Sequence, residues 1–408
     1  MSKNSIPAIR FKSFSNPWLY TGLKEVKDVR DGTHSSPKYI DNGYPLVTSK
    51  NLSDSGLNLN DVSWISESDY NEINKRSKVE VGDILLGLIG TIGKPVLVET
   101  DGFAIKNVGL IKNGGQIQNQ FLLQYLKTNL FNKYIQIEMA GNTQKFLGLE
   151  TLRNTKIPVP SSAEQSAIGS LFSTLDDLLA SYKDNLANYQ SIKATMLDKM
   201  FPKAGQTVPE IRLNGFEGEW VEKRLKDISK RVTRKNNDLV SERALTISAQ
   251  FGLIDQEEFF QKKIASKDVS GYYLIKKGEF AYNKSYSTGY PLGAIKRLDK
   301  YENGVLSTLY ILFKAVDVDS DYLAHYYESD KWHREVSMCA AEGARNHGLL
   351  NIAPADFFNT RLVIPKELAE QQALGAYFSN LDNIINSHQE KITQLETLKK
   401  KLLQDIFI

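Results

Sequence analysis

The sequence AEQSAIG at residues 163–169 returns as AEQQALG at residues 369–375, which is 206 positions further along the chain. The likeness continues downstream: between residues 163–201 and 369–407, 13 of the 39 aligned positions are identical without a gap. A repeat of this length indicates two related halves, and overlooking it would misjudge the whole fold.

Further matching phrases surround this stretch. IPAIR at residues 6–10 returns as VPEIR at residues 208–212, and Trp18 returns as Trp220 at the same spacing. Few identities can be aligned across the large segments between the opening and closing motifs. Each half is therefore predicted to combine a divergent globular part with a better preserved tail. The downstream matches are Leu175-Asp176 with Leu381-Asp382, Lys193 with Lys399, and Phe201 with Phe407.

The tails have the apolar spacing of long helices. From Leu175 and from Leu381 onward, apolar residues recur at steps of three and four, and residues 176–201 and 382–408 contain neither Gly nor Pro. A helix with one apolar stripe must cover it. Two such stripes packed together make a coiled coil, whereas in the alternative each helix packs on its own globular segment. The equal length and register of the tails favour mutual pairing.

The globular parts are predicted to be mixed α/β (α+β), with Gly and Asn turns between strands. The predicted parts of the chain are residues 1–160, 161–203, 204–365 and 366–408, the second and fourth being the repeated helices. The predicted strands are Leu46-Val47, Asp83–Leu88, Lys94–Val98, Arg243–Ile247, Glu279–Tyr282 and Val305–Phe313, and the predicted helices within the globular parts are Phe121–Phe131 and Asp321–Val336.

Composition indicates a globular protein of more than one domain. The chain has 408 residues, of which 41% are hydrophobic and 24% charged, and its net charge of +3 permits nucleic-acid binding without requiring it. Cys339 is the single cysteine, so no internal disulfide can form and a reducing cytoplasm is expected. The longest apolar run, around residues 84–92, is broken by Gly87 and Gly90, so no membrane span is predicted.

Several patterns that could indicate an enzyme are incomplete. Residues 87–94 resemble a phosphate-binding loop, but Leu88 stands where that loop needs Gly and Pro95 where it needs Ser or Thr. Asn16-Pro17-Trp18 lacks the second proline of the adenine-methyltransferase signature, so Trp18 is predicted to be a core residue. No GxGxxG occurs, and the five histidines never cluster with cysteine at zinc spacing. An independent enzyme is disfavoured, and neither a cofactor nor a metal is expected.

In their duplicated order, these phrases resemble the specificity subunit of a type I restriction–modification system. The resemblance covers essentially the whole chain, and its phrases are weak singly but specific together. They are IPVP at 157–160 with AEQ at 163–165, Ile364-Pro365 with AEQ at 369–371, Asp31-Gly32-Thr33-His34, Gly82-Asp83-Ile84-Leu85, Gly278-Glu279-Phe280, and the closing Met200-Phe201 and Ile406-Phe407.

The resemblance implies a non-catalytic protein that binds double-stranded DNA. In that family the variable segments are target recognition domains, each reading one half of an interrupted site, and the repeated helices form an antiparallel pair that spaces them. The helices bind two methyltransferase subunits, and restriction (translocase) subunits then join the assembly. A helix of about 27 residues spans ~40 Å, which suits two readers one turn of DNA apart, ~34–36 Å.

Sequence readout requires Arg, Lys, Asn, Gln, Ser or Thr at base edges, with further cations on phosphates. Polar loops in both halves carry such residues, although any single one can instead be merely solvated. The loops at residues 141–145 and 343–347 hold similar places ahead of the closing prolines. The candidate DNA-binding residues are Thr33, His34, Thr48, Ser49, Lys50, Asn142, Thr143, Gln144 and Lys145 in the first half, and Ser248, Gln250, Asn283, Lys284, Tyr286, Arg345, Asn346 and His347 in the second.

Two other functions are compatible with these observations. A stand-alone bipartite DNA-binding regulator would share the repeat but would not bind a methyltransferase subunit. A self-sufficient methyltransferase or nuclease would bind its own cofactor, which a binding assay on the purified chain would detect.

Overall fold

The computed structural model describes residues 7–54, 56–140, 145–248, 252–262, 268–285, 289–339 and 350–407. The chain divides into two compact units. Unit 1 comprises Met1–Lys183 and Glu390–Ile408, and unit 2 comprises Asp184–Gln389. Each unit therefore contains one globular segment and parts of both repeated tails.

The elements before the second repeat begin with short strands and end with a long helix. The strands are β1 (Leu19–Gly22), β2 (Val29–Asp31), β3 (Tyr39–Ile40), β4 (Tyr44–Val47), β5 (Leu52–Ser53), β6 (Gly56–Leu57), β7 (Ser63–Ile65), β8 (Ile84–Gly87), β9 (Pro95–Leu97), β10 (Ala104–Ile105), β11 (Val108–Ile111) and β12 (Lys156–Val159). The helices are α1 (Leu23–Val26), α2 (Glu67–Ser77), α3 (Asn119–Leu126), α4 (Asn129–Met139), α5 (Leu149–Asn154) and α6 (Ser162–Lys199), and a 3-10 turn spans Ser49–Asn51.

The second repeat follows a similar order. Its strands are β13 (Val221–Arg224), β14 (Ser229–Val232), β15 (Leu245–Ser248), β16 (Gly252–Asp255), β17 (Tyr273–Lys276), β18 (Phe280–Asn283), β19 (Ala294–Arg297), β20 (Asn303–Leu306), β21 (Ile311–Ala315) and β22 (Arg361–Ile364). Its helices are α7 (Leu225–Ile228), α8 (Gln256–Phe260), α9 (Ser320–Tyr326), α10 (His333–Cys339), α11 (Pro354–Phe358) and α12 (Leu368–Ile406).

The divergent globular segments share a sheet order that their sequences do not reveal. Unit 1 contains a four-stranded sheet β2-β11-β8-β9, and unit 2 contains β14-β21-β18-β19 in corresponding order. In each unit a two-stranded antiparallel sheet, β1-β12 or β13-β22, joins the segment's opening to its end. The strand that precedes each long helix is thus fixed to the residues that follow Trp18 or Trp220.

Most predicted elements exist, but three are divided. Val305–Phe313 forms two strands, β20 and β21, because the chain turns at Ser307–Tyr310, where the Tyr310 amide donates to the Ser307 carbonyl. Phe121–Phe131 forms α3 and α4, because the Thr128 hydroxyl bonds to the Tyr125 carbonyl and caps α4. Asp321–Val336 likewise contains parts of two helices, α9 and α10. The two long helices predicted for the tails are confirmed as α6 and α12.

A buried carboxylate near the start of each long helix ties it to the opening motif of its repeat. In unit 1, Glu164 accepts from Arg10 Nε at 2.6 Å and Nη2 at 2.7 Å, and from Trp18 Nε1 at 3.1 Å. Its side chain is 1% exposed. In unit 2, Glu370 accepts from Arg212 at 2.7 and 2.8 Å and from Trp220 Nε1 at 3.2 Å. The prediction that Trp18 is a core residue is confirmed, since it is buried.

The glutamine that follows each glutamate joins two further segments. In unit 1, Gln165 accepts from the Gln118 amide, which lies just before α3, at 2.8 Å and donates to the Pro160 carbonyl at 3.0 Å. In unit 2, Gln371 accepts from the Asp319 amide at 2.8 Å and donates to the Pro365 carbonyl at 2.9 Å. The repeated Glu-Gln pair is therefore a structural junction.

A phenylalanine from the end of the other repeat's helix completes each unit's core. Phe407 packs on Trp18, with ring centroids 6.2 Å apart, and on Phe121 at 5.4 Å. Phe201 packs in the same way on Trp220 and on Tyr322. A backbone hydrogen bond accompanies each cluster, from the Ile9 amide to the Asp405 carbonyl in unit 1 and from Ile211 to Lys199 in unit 2.

Within each unit the helical segments pair in antiparallel fashion, as the resemblance implies. In unit 1, Asp176 of α6 binds Lys399 of α12, and Lys183 binds Glu396 at 2.7 Å. In unit 2, Lys193 of α6 binds Asp382 of α12 at 2.5 Å. The repeated Leu-Asp phrase of one tail therefore pairs with the repeated lysine of the other. The start of each helix also packs on its own globular segment, so both arrangements considered from the sequence contribute.

The buried anchor generates a stability prediction. Replacing Glu370 by alanine leaves the Arg212 guanidinium, which is 15% exposed, without its carboxylate. We expect Glu370→Ala to lower the free energy of unfolding by about 3–5 kcal/mol, measured by urea denaturation. Glu222→Ala is the matched control, because Glu222 forms a solvent-exposed ion pair with Arg361 and should cost about 0–1 kcal/mol. Equal losses in the two variants would contradict the prediction.

Candidate functional site

Polar loops of unit 1 leave its sheets at one end. β2 and β8 both pair antiparallel with β11, so the residues after Asp31 and Gly87 lie where β11 begins, at Val108. β4 runs parallel to β10, so Thr48 follows Val47 at the same end. We call this set of residues, 32–36, 48–51, 88–94 and 106–107, the loop end of unit 1.

Asn107 holds the loop end together. Its backbone is left-handed, with φ 54°, a conformation that Asn tolerates better than most residues. Its amide donates to the Thr33 carbonyl at 3.1 Å, and its carbonyl accepts from the Ser49 hydroxyl at 3.3 Å. Its side-chain oxygen lies 2.8 Å from His34 Nδ1. Three predicted residues, Thr33, His34 and Ser49, thus gather around a residue that the sequence analysis did not select.

His34 is exposed but held on two sides. Its side chain is 59% exposed, and its Nε2 lies 2.8 Å from the carboxylate of Asp31, which is 5% exposed and also binds Arg76. Because a carboxylate only accepts, Nε2 carries the proton of this bond. The exposed part of the imidazole is therefore presented in one orientation at the loop end.

Gly32 allows the two halves of this cluster to approach. A Cβ atom on Gly32 would lie 2.3 Å from the Ile105 carbonyl oxygen, far inside van der Waals contact. The Gly32 amide donates to the Val108 carbonyl at 2.9 Å, and the Thr33 amide donates to Ile105 at 3.0 Å. The glycine of the Asp-Gly-Thr-His phrase therefore has a steric reason at this position.

The second polar loop contains one exposed cation and two residues that shape the turn. Thr48 precedes the 3-10 turn, and its amide donates to Asn51 Oδ1 at 2.9 Å. Ser49 is buried. The Lys50 side chain is 56% exposed, with its ammonium 3.6 Å from Asp61. Lys50 can reach a ligand, whereas Thr48 and Ser49 fix the backbone from which it extends.

Lys145 also lies at the loop end. It is exposed, and the next residue, Phe146, forms an antiparallel bridge with Ile89. The Leu147 amide donates to the Leu88 carbonyl at 2.8 Å, which fixes this segment to the end of β8. The predicted residues Asn142, Thr143 and Gln144 lie outside the described residues.

The corresponding place in unit 2 is the end of β18. The Leu350 amide donates to the Lys284 carbonyl at 3.0 Å, as Leu147 does to Leu88 in unit 1. The Asn283 side chain accepts from the Ser285 amide at 3.0 Å, and the Lys284 ammonium donates to the Ile352 carbonyl at 3.2 Å. Burial lowers the pKa of Lys284. Ser248 ends β15 and is buried, and Gln250, Tyr286, Arg345, Asn346 and His347 lie outside the described residues.

Sequence reasoning missed two residues of the loop end of unit 1, Lys106 and Asn107. The Lys106 ammonium donates to the Ser36 hydroxyl at 2.9 Å and lies 6.0 Å from the centre of the Tyr39 ring. The available signal was an Asn directly before the apolar run Val108–Ile111, where a left-handed turn residue is common. Its long-range partners could not be inferred from spacing.

One group of possible metal ligands lies away from these loops. Among the described residues, His325, Glu328 and Asp382 bring their ligand atoms within 4.8 Å of one another. The Lys193 ammonium contacts Glu328 at 2.7 Å and Asp382 at 2.5 Å. A lysine therefore already supplies the positive charge that these two carboxylates require.

Comparison with known proteins agrees with this architecture. The model of the type I restriction modification DNA specificity domain matches residues 17–188. The putative MjaX specificity subunit of Methanocaldococcus jannaschii is 27% identical over 198 residues, which are 46% of this chain and 46% of that relative. The MjaVIII specificity subunit of the same organism is 22% identical over 344 residues, covering 81% of this chain and 79% of the relative. The chain belongs to the type I restriction–modification specificity subunits.

A solved structure shows the same fold for this specificity subunit. The crystal structure of the type I restriction-modification system S subunit from M. genitalium matches with a TM-score of 0.59 at 15% identity, covering 99% of both chains. Within the described residues of the specificity subunit, no helix combines the length and the apolar character needed to cross a bilayer.

The close approach at Gly32 generates a second prediction. In Gly32→Ala the new methyl group must displace the Ile105 backbone, so we expect unit 1 to lose about 1–3 kcal/mol of stability and its melting temperature to fall. Gly148→Ala is the control in the same unit, because a Cβ there meets its nearest atom at 3.5 Å, an ordinary contact. Calorimetric melting of both variants makes the comparison, and an unchanged melting temperature for Gly32→Ala would refute the steric argument.

Proposed function

We propose that this specificity subunit recognises an interrupted double-stranded DNA sequence, one half with each unit, and carries out no chemistry itself. The observation that carries the proposal is the same sheet order in two units, each with polar residues where its central strand, β8 or β18, ends. An interrupted target requires two readers, and readers of common design can approach the two half-sites in the same manner. The incomplete cofactor motifs support a non-catalytic role, and the lone cysteine supports a cytoplasmic location.

The loop ends suggest how the candidate residues divide their work. His34, Lys50 and Lys145 are exposed and can contact bases or phosphates, whereas Thr48 and Ser49 hold the loop that presents them. In unit 2, Asn283 and Lys284 hold the end of β18 and the segment that returns at Leu350. Asn142, Thr143, Gln144, Gln250, Tyr286, Arg345, Asn346 and His347 remain candidates from the sequence.

Exposed apolar pairs on the helices support the binding of two methyltransferase subunits. In unit 1, Leu178 of α6 is 40% exposed and Leu398 of α12 is 45% exposed. In unit 2 the repeat-related pair, Ile192 and Ile384, is 42% and 37% exposed. Within each unit the two residues lie at the same level of the antiparallel helices. Two equivalent apolar surfaces suit two copies of one partner.

The apolar pairs also distinguish the proposed complex from a stand-alone DNA-binding regulator. A regulator without partner subunits would expose these side chains to water with no compensating contact. In the proposed assembly, restriction (translocase) subunits would join after the methyltransferase subunits have bound.

The proposal is tested by exchanging one reader. We expect that replacing residues 204–360 with the matching segment of a related specificity subunit changes one half of the methylated motif and leaves the other half intact. The variant is co-expressed with its methyltransferase subunit, and genomic methylation is read by single-molecule sequencing. The unaltered chain is the control. Simultaneous change of both halves would exclude independent reading, and the absence of any two-part motif in the control would exclude the proposed function.

The docking surfaces provide a separate test. Introducing charge with Leu178→Asp and Leu398→Asp should prevent one methyltransferase copy from binding, because the carboxylates would be buried without partners. Native mass spectrometry of the co-purified complex should then show one copy in place of two. Leu368→Asp is the control, since Leu368 is 54% exposed at the start of α12 and outside both pairs. Retention of two copies in the double variant would contradict the assignment.

A further inference from the structure

The two units differ sharply in charge along one repeat-related segment. Residues 221–235 of unit 2 contain seven Lys and Arg and two Asp and Glu, whereas the related residues 19–33 of unit 1 contain three of each. The segment spans β13, α7 and β14 in unit 2. Because the fold is shared, this difference is a property of unit 2 alone.

Within this segment, two lysines face each other across a pair of strands. Lys230 of β14 is directly opposite Lys314 of β21 in the antiparallel register, and both are exposed. Directly opposed residues of such a pair have Cβ atoms about 4.5–5.5 Å apart, and like charges there are destabilising. Unit 1 avoids this repulsion: at the related position the Lys112 amide bonds to the Asp28 carbonyl, so a lysine stands opposite an aspartate.

A third lysine belongs to the same place. Lys276 occupies the position of Glu80, as its amide donates to Glu279 at 2.9 Å in the way the Glu80 amide donates to Asp83 at 2.8 Å. In unit 1, Glu80 binds the Lys112 ammonium at 2.9 Å. Two acids and one base in unit 1 are thus replaced by Lys230, Lys276 and Lys314 in unit 2. We call these three residues the lysine patch.

The nearby carboxylates do not neutralise the lysine patch. Glu279, which stands where unit 1 has Asp83, is bound by Arg234 at 2.9 Å. The other ion pairs of this sheet also use other cations, such as Lys277 with Glu302 and Arg297 with Asp299. Among the described residues, no carboxylate pairs with any lysine of the patch. Three exposed ammonium groups are therefore available to an external anion.

We infer that the lysine patch binds backbone phosphates of the DNA beside the half-site read by unit 2. This inference rests on the proposed function and deepens it. Lysine is a point charge that suits phosphate without reading sequence. From Lys230 to Thr233, where β14 has ended, is about 10 Å at 3.3 Å per residue, within the ~10 Å over which charges act at moderate salt. Unit 2 thus supplies sequence-independent affinity that the neutral segment of unit 1 lacks.

The first test separates stability from binding. Lys230→Asp reproduces the lysine–aspartate arrangement of unit 1, so the melting temperature should stay the same or rise. Affinity for DNA should fall on the cognate duplex and on a mixed-sequence duplex by the same factor, because phosphate contacts carry no sequence information. Fluorescence anisotropy with the full chain measures both. A folded variant with unchanged affinity on both duplexes would overturn the inference.

The second test counts phosphate contacts by salt dependence. With Lys230, Lys276 and Lys314 all replaced by alanine, the slope of log affinity against log salt should become shallower by about 3, so a fourfold rise in salt weakens binding about 40-fold less than in the unaltered chain. Lys300→Ala is the control on the opposite, β19 side of the sheet, where its ammonium is 3.7 Å from Glu258. It should leave the slope nearly unchanged.

The outcomes distinguish the patch from the proposed function. A specific complex with the cognate duplex whose salt slope is the same in the triple variant would refute the patch alone. If the triple variant kept its DNA affinity but no longer co-purified with the methyltransferase subunit, the patch would be a protein-docking surface and the inference would be wrong. Loss of specific binding by the unaltered chain would instead refute the proposed function.

Discussion

The buried carboxylate near the start of each long helix is the interaction on which the rest of the structure depends. Glu164 gathers Arg10 and Trp18, and Glu370 gathers Arg212 and Trp220, each in a site from which water is largely excluded. A buried charge is tolerated only when it is paired and fully hydrogen-bonded, so the opening motif, the tryptophan and the helix must come together as a set. The adjacent glutamines extend the same junction to α3 and α9.

From this junction, the helices acquire their direction and partner. Each helix starts against its own globular segment, and its last Phe completes the other core, with Phe407 beside Trp18 and Phe201 beside Trp220. The Asp and Lys of the repeated tails pair reciprocally, Asp176 with Lys399 and Asp382 with Lys193. Because each half-buried lysine finds its carboxylate only in this register, the pairing specifies both orientation and alignment of the helical segments.

On this common framework the two units have diverged in their exposed chemistry. Unit 1 organises its loop end around Asn107, with His34 fixed between that residue and Asp31. Unit 2 retains the sheet order but replaces a neutralised cluster with the lysine patch. A shared scaffold with different surfaces is what independent reading of two half-sites demands, since loops and strand faces can change while the buried junction cannot.

The sequence by itself determined the repeat, the two long helices, the burial of Trp18 and the resemblance to the family. These features depend on local periodicity and on motifs that stay in order along the chain. It did not determine that Val305–Phe313 divides into two strands, because that turn is imposed by pairing with β17 and β18. Nor could it select Asn107 or place Lys230 opposite Lys314, residues 84 positions apart in the chain. Register between distant strands is decided by tertiary packing, since shifting a strand by one residue reverses the faces of all its side chains.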